Sequence, residues 1–209
     1  IAESIIKTRN YGKKALMLAV LISLILCASR LSAEYSQPRQ AEQSVSSQTV
    51  TEGPPDIRSA YFNIYVSPGV DLNRVYKRIN RRYFPISYGR KPDSLASSEE
   101  KIAYRMDALM ERVEQILDIY PQGVRINIRI FKTRKELNDF YGSLFKTNES
   151  YNSFYINKLK TIYISEQDIS DSILAHEIGH VVVDHYFKVV PSETVREMLA
   201  TYVDLHLDD

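Results

Sequence analysis

The sequence predicts an α+β fold, in which a small mixed sheet with an edge strand packs on a helix carrying His176-Glu177-Ile178-Gly179-His180 and on a C-terminal helix carrying a glutamate. Three observations lead there. Apolar residues alternate with period two in short runs beginning near residues 62, 124 and 161. Between and after these runs stand longer segments with helical spacing, several opened by a Ser or Thr followed three residues later by an acid. Gly and Pro pairs separate the two kinds of segment.

The first residues read as an address. Lys7, Arg9, Lys13 and Lys14 precede an uncharged apolar stretch from Ala15 to Ala28, the pattern of a signal-peptide core. It is shorter than the ~20 apolar residues that span a bilayer as a helix. Left uncleaved, residues 15–28 together with Leu31 would act as a membrane tether. Ser32 and Ala33 give a small-residue cleavage site ahead of Glu34. Residues 1–33 are therefore read as a signal peptide or N-terminal membrane anchor, and the protein as exported: periplasmic, secreted or anchored outside the cytoplasm. The only cysteine, Cys27, falls in this run, so no disulfide framework is available. Bulky Leu26 precedes it where lipoprotein signals carry a small residue. Residues 34–59, rich in Ser, Gln, Glu and Thr and broken by Pro38, Pro54 and Pro55, read as a flexible polar linker.

The folded domain is expected over 60–209. Phe62, Ile64 and Val66 line one side of a first strand, which Pro68-Gly69 ends. Val75 and Ile79 mark a first helix to about Arg82, followed by a loop with Pro85, Gly89 and Pro92. Ser97 and Glu100 form a capping box, and Ile102, Met106, Leu109, Val113, Ile116 and Leu117 share a face of the helix it opens. Pro121 to Gly123 stops that helix. Val124, Ile126, Ile128 and Ile130 alternate with polar neighbours in the next strand. Thr133 and Glu136 cap a helix whose apolar side carries Leu137, Phe140, Tyr141 and Leu144. Two short strands, Ser153 to Ile156 and Thr161 to Ile164, flank an easy turn at Asn157-Lys158 and suit a hairpin at the sheet edge. Ser165 and Asp168 cap a helix to about Phe187, and a last helix starts near Ser192.

The chemistry resides in residues 176–180, on the fourth of these five helices. Residues four apart on a helix share a face, so His176 and His180 offer two imidazole nitrogens to one metal ion. Glu177 points beside that ion, where it can take a proton from the attacking water. Zinc suits this donor set: it accepts imidazole and carboxylate together, has no redox chemistry, and lowers the pKa of water to about 7 in catalytic sites. A catalytic zinc takes three protein ligands, and the last helix offers Glu193 and Glu197. With a rise of 1.5 Å per residue, His180 lies about 10 Å below the end of its helix, Glu197 about 8 Å into the next one, and Glu193 only about 2 Å. Depth favours Glu197. Gly179 and Ala200 lack bulk and allow the two helices to approach closely.

With these residues the chain resembles the gluzincin-type metallopeptidases of the broad zincin (peptidase MA-like) group, in a minimal single-domain form. Such enzymes have an HExxH helix followed by a helix bearing a glutamate ligand, here Glu197-Met198-Leu199-Ala200-Thr201-Tyr202. The resemblance covers about Ala60 to Asp209. It implies one Zn2+ per chain on His176, His180 and Glu197, Glu177 as general base, and a peptide or protein substrate held extended along Thr161, Ile162, Tyr163 and Ile164 as the edge strand. Val183 and Tyr186 stand where metzincins would have Gly and His. Thr201 replaces an acidic residue found one turn after the glutamate in some thermolysin-like enzymes, which leaves Asp184 or Asp204 to orient a histidine. Tyr202, His185 and His206 are candidates for stabilising the oxyanion. Two other classes compete: an inactive zincin-fold binding protein of the cell envelope, and a metal-free interaction module using some of the 15 tyrosines. A net charge of +1 at pH 7 and the lack of a motif give no reason to expect nucleic acid.

Overall fold

The fold is a computed structural model that describes residues 53–79 and 97–209. The expected signal or anchor over 1–33, residues 34–52 of the linker and the loop with Pro85, Gly89 and Pro92 lie outside the described residues. Among the described residues the architecture is α+β, with five α-helices and one five-stranded mixed sheet. In chain order the elements are β1 (Ile57–Arg58), β2 (Phe62–Val66), α1 (Leu72–Arg78), α2 (Ser98–Leu117), β3 (Ile126–Phe131), α3 (Arg134–Phe145), β4 (Ser153–Ile156), β5 (Thr161–Ser165), α4 (Asp171–Tyr186) and α5 (Glu193–Leu205). No helix among the described residues is long and apolar enough to cross a membrane.

The strands lie in the order β1-β2-β3-β5-β4. The three central strands run parallel, and β1 and β4 close the two ends antiparallel to their neighbours. Register follows from the period-two pattern, because any one-residue slip would turn the isoleucines to the wrong face. Ile64, Ile128 and Ile162 are aligned across the sheet, and Val66, Ile130 and Ile164 form the next row. That second row continues across the hairpin to Ser153 of β4, the partner of Ile164. These rows meet α2 and α4 in the main core, with Ile102, Met106, Leu109 and Val113 supplied by α2 as its spacing predicts. The opposite face carries a smaller aromatic cluster in which Phe131, Phe154 and Tyr163 pack on Leu137 and Tyr141 of α3.

Local signals explain most boundaries. The Ser97–Glu100 capping box forms as expected, and the helix ends at Asp118 in the left-handed conformation. The Thr133 side chain accepts the Glu136 N–H at 3.2 Å and so begins α3. A 3₁₀ turn over Asn157–Leu159, closed by Lys160 at φ 47°, makes the β4–β5 hairpin.

Three boundaries differ from expectation. Residues Ile57–Arg58, inside the stretch read as linker, pair with β2, and Ile57 is buried; two residues are too few to show a period. Ser165 and Asp168 do not cap α4. Ser165 ends β5 and donates to Asp168 at 2.6 Å, while Asp168 is held by the Arg134 guanidinium, and the helix instead starts after Ser170, which accepts the Ile173 N–H at 3.3 Å. The strand expected from Val124 begins at Ile126, where the N–H first finds a partner across the sheet, the Tyr61 carbonyl.

Candidate metal centre

Helix α4 is buried on nearly all sides from Leu174 to Val183, as expected of a helix at the middle of a fold rather than on its surface. Polar side chains in such a position need partners. His176 and His180, both almost fully buried, project from the same side with their Nε2 atoms 3.3 Å apart. Across from them runs α5. A Cβ on Gly179 would lie only 3.2 Å from the Cα of Ala200, so the bare glycine is what lets the two helices come this close.

The approach delivers Glu197. Its Oε1 lies 3.4 Å from His180 Nε2 and its Oε2 lies 3.6 Å from His176 Nε2. Donor atoms placed tetrahedrally at 2.0–2.2 Å from a zinc ion are separated by about 3.3–3.6 Å, which is the spacing of a tetrahedron's edge at that radius. The imidazole pair and each imidazole–carboxylate contact fall in that interval, the two carboxylate contacts being made by different oxygens of Glu197. Glu197 Oε1 is also buried without a hydrogen-bond partner, a costly arrangement for a carboxylate oxygen that a cation would relieve. His176, His180 and Glu197 can thus each offer a donor atom to one cation, and solvent reaches the group on the Glu197 side, whose side chain is 22% exposed. Glu193 does not join them; one turn earlier, it faces Arg196 at 3.9 Å.

Electrostatics separates the two histidines. Burial, then the neighbouring His176 and Arg196 cations, holds His180 well below the ordinary imidazole value, which keeps it neutral with a lone pair to donate. Burial also opposes the charging of His176, but the carboxylates of Glu197, Glu177 and Asp204 outweigh it and raise that pKa.

Glu177, rotated about 100° around the helix from His176, is fully buried. It points toward β4, where the Ser153 hydroxyl donates to its Oε1 at 2.6 Å. Ser153 is absent from the residues singled out by sequence. The available signal was weak: one hydroxyl opening the run Ser153-Phe154-Tyr155-Ile156, on the face shared with Tyr155.

Other expected site residues are placed elsewhere. Asp184 forms a buried ion pair with Arg196 at 2.9 Å, which clamps α4 to α5. Asp204 accepts from Ser172 and acts on His176 through its charge. Tyr202 stacks on His206 with ring centroids 4.0 Å apart, and His185 Nδ1 pairs with the Val181 carbonyl at 2.9 Å. The substrate strand expected at Thr161, Ile162, Tyr163 and Ile164 is corrected by the topology. These residues belong to β5, which is hydrogen-bonded to β3 on one side and β4 on the other, so no backbone edge is left for a peptide. A hairpin pattern cannot say which of its two strands lies outermost; here β4 does. Comparison with protein families, curated proteins and solved structures finds nothing that matches this chain.

Proposed function

We propose that the chain is an exported zinc metallopeptidase of the minimal gluzincin kind, hydrolysing peptide bonds with Glu177 as general base. The observation that carries this reading is the convergence of His176, His180 and Glu197, with pairwise contacts of 3.3, 3.4 and 3.6 Å, beside a carboxylate on the adjoining side of the same helix. His176, His180 and Glu197 would hold one zinc ion, whose chemistry when bound is to polarise a peptide carbonyl and acidify water. Glu177 would accept the proton at a carboxylate oxygen and later return it to the departing amine. Its burial excludes bulk water from the transfer. The terminal strand β4 replaces Thr161–Ile164 as the element beside which a peptide would lie.

The test is the Glu177→Gln variant. Loss of a general base costs roughly 10²–10⁴-fold in rate. The variant should keep one zinc per chain and lose turnover of a quenched casein by that factor, and near-normal turnover would remove Glu177 from its role. One observation favours a second reading, a zinc-binding envelope protein without catalysis: Glu177 and all four residues of β4 are buried. A zinc-loaded wild type that cleaves no peptide library would select that reading.

A further inference from the structure

We infer that Ser153 is a positioning residue: its hydroxyl fixes the rotation of the Glu177 carboxylate, and so sets how that group can receive a proton. The inference rests on the metallopeptidase reading for its consequence, though not for its geometry. In the sheet, the row Val66, Ile130 and Ile164 is apolar until it reaches β4, where Ser153 stands in the last place. A serine there sacrifices apolar burial and brings a hydroxyl that must be satisfied. It is satisfied by Glu177 Oε1 at 2.6 Å, with Ser153 5% exposed and Glu177 0% exposed.

What the bond controls follows from the torsion it acts on. The terminal torsion of a glutamate is broad, without the sharp staggered wells of the inner ones. The helix therefore determines where the carboxylate sits but not how it is turned. A charge-assisted hydrogen bond from a rigid strand supplies a constraint on that rotation. It also ties α4 to β4, so that the base and the strand proposed to lie along the substrate move as one unit. Neither the helical motif nor the metal ligands encode this connection.

A serine that merely satisfied a buried acid would affect stability alone, so the test needs a readout that distinguishes the two. With the full chain loaded with zinc and quenched casein as probe, Ser153→Ala should keep one zinc, lower kcat about 10–100-fold, and leave KM within about twofold, as expected for a displaced catalytic group. Ser153→Thr, which restores the hydroxyl, should recover most of kcat. A second measurement needs no catalysis. In the metal-free full chain, the effects of Ser153→Ala and Glu177→Gln on the unfolding constant should fall short of multiplying by about tenfold, the mark of a shared bond. Unchanged or increased kcat in Ser153→Ala, a loss confined to KM, or strictly multiplicative unfolding effects would each overturn the proposal. Non-multiplicative effects in a chain that never cleaves casein would uphold the Ser153–Glu177 constraint and reject the metallopeptidase reading.

Discussion

Replacing Glu197 is the sharpest perturbation of the proposed centre, because the structure provides its own control one turn away. Both carboxylates lie on α5, but Glu197 has its oxygens 3.4 and 3.6 Å from the two imidazole nitrogens, whereas Glu193 faces Arg196. Four residues separate them, a displacement of about 6 Å along the helix. Metal ligands tolerate only about ±0.2 Å. Shortening Glu197 to Asp withdraws the carboxylate by roughly one carbon–carbon bond, about 1.5 Å, several times that tolerance. Since disturbing even a residue behind a ligand commonly costs about 10–100-fold in metal affinity, loss of the ligand itself should cost at least about 100-fold, or roughly 3 kcal/mol. We therefore expect Glu197→Ala and Glu197→Asp to weaken zinc binding by similar large factors, and Glu193→Ala to leave it within about threefold. Competition with a chelating dye, on the full chain, measures all three. A Glu197→Asp protein that binds zinc normally, or a Glu193→Ala protein that loses it, would refute the helix-depth argument and the centre built on it.

Three further outcomes follow from the packing of the helices. Gly179→Val forces atoms against the Ala200 backbone; overpacking of this kind costs about 1–3 kcal/mol, so a lower melting temperature and weaker zinc binding should appear together, and a normal melt would contradict the close approach. Asp184→Asn should destabilise the fold by about 3–5 kcal/mol in denaturant titrations because the buried Arg196 loses its close partner and keeps only Glu193 at 3.9 Å, whereas Asp184→Leu with Arg196→Met should recover much of the loss; a harmless Asp184→Asn would count against the clamp. On α2, burial and the neighbouring Glu111 push the Glu114 carboxyl up from 4.5 to about 7. With the folded value above the unfolded one, the folded state holds the extra proton between those pH values, so this group makes stability fall as pH rises from about 4.5 to 7 and adds no slope beyond. Glu114→Gln should accordingly stabilise the protein at pH 8 by about 1–3 kcal/mol, with little effect at pH 4; an equal effect at both would reject the assignment.

How much of this was legible beforehand depended on whether a feature is local. The isoleucine periods of β3 and β5, the capping box at Ser97 and the histidine spacing are each encoded within one turn or one strand, and each is present in the structure. Glu197 was reachable because two helices joined by a short loop have a depth that can be counted. Strand order was not, since the hairpin pattern is symmetric between β4 and β5 until a third strand chooses one of them. Ser153 was invisible for the same reason: its partner is 24 residues away and is chosen by the sheet's register. Asp168 illustrates a competition, with a capping pattern diverted by Arg134 from a different helix.

The function proposed here depends less on the five-residue motif than on what lies against two sides of it. Helical geometry rotates Glu177 by about 100° from His176, so a single helix cannot satisfy metal ligands and base from one neighbour. Two neighbours are needed, and they impose different demands. The histidine side requires a helix at very short range, met by Gly179 against Ala200, so that a carboxylate from a second element reaches both imidazoles. The base side requires a polar contact that arrives without solvent, met by Ser153 at the end of an apolar row. A surface helix with the same five residues would have neither. The motif acquires its chemical meaning from being buried between β4 and α5, and substitutions at Gly179 and Ser153, neither of which would touch the metal, probe that meaning more directly than replacing the histidines.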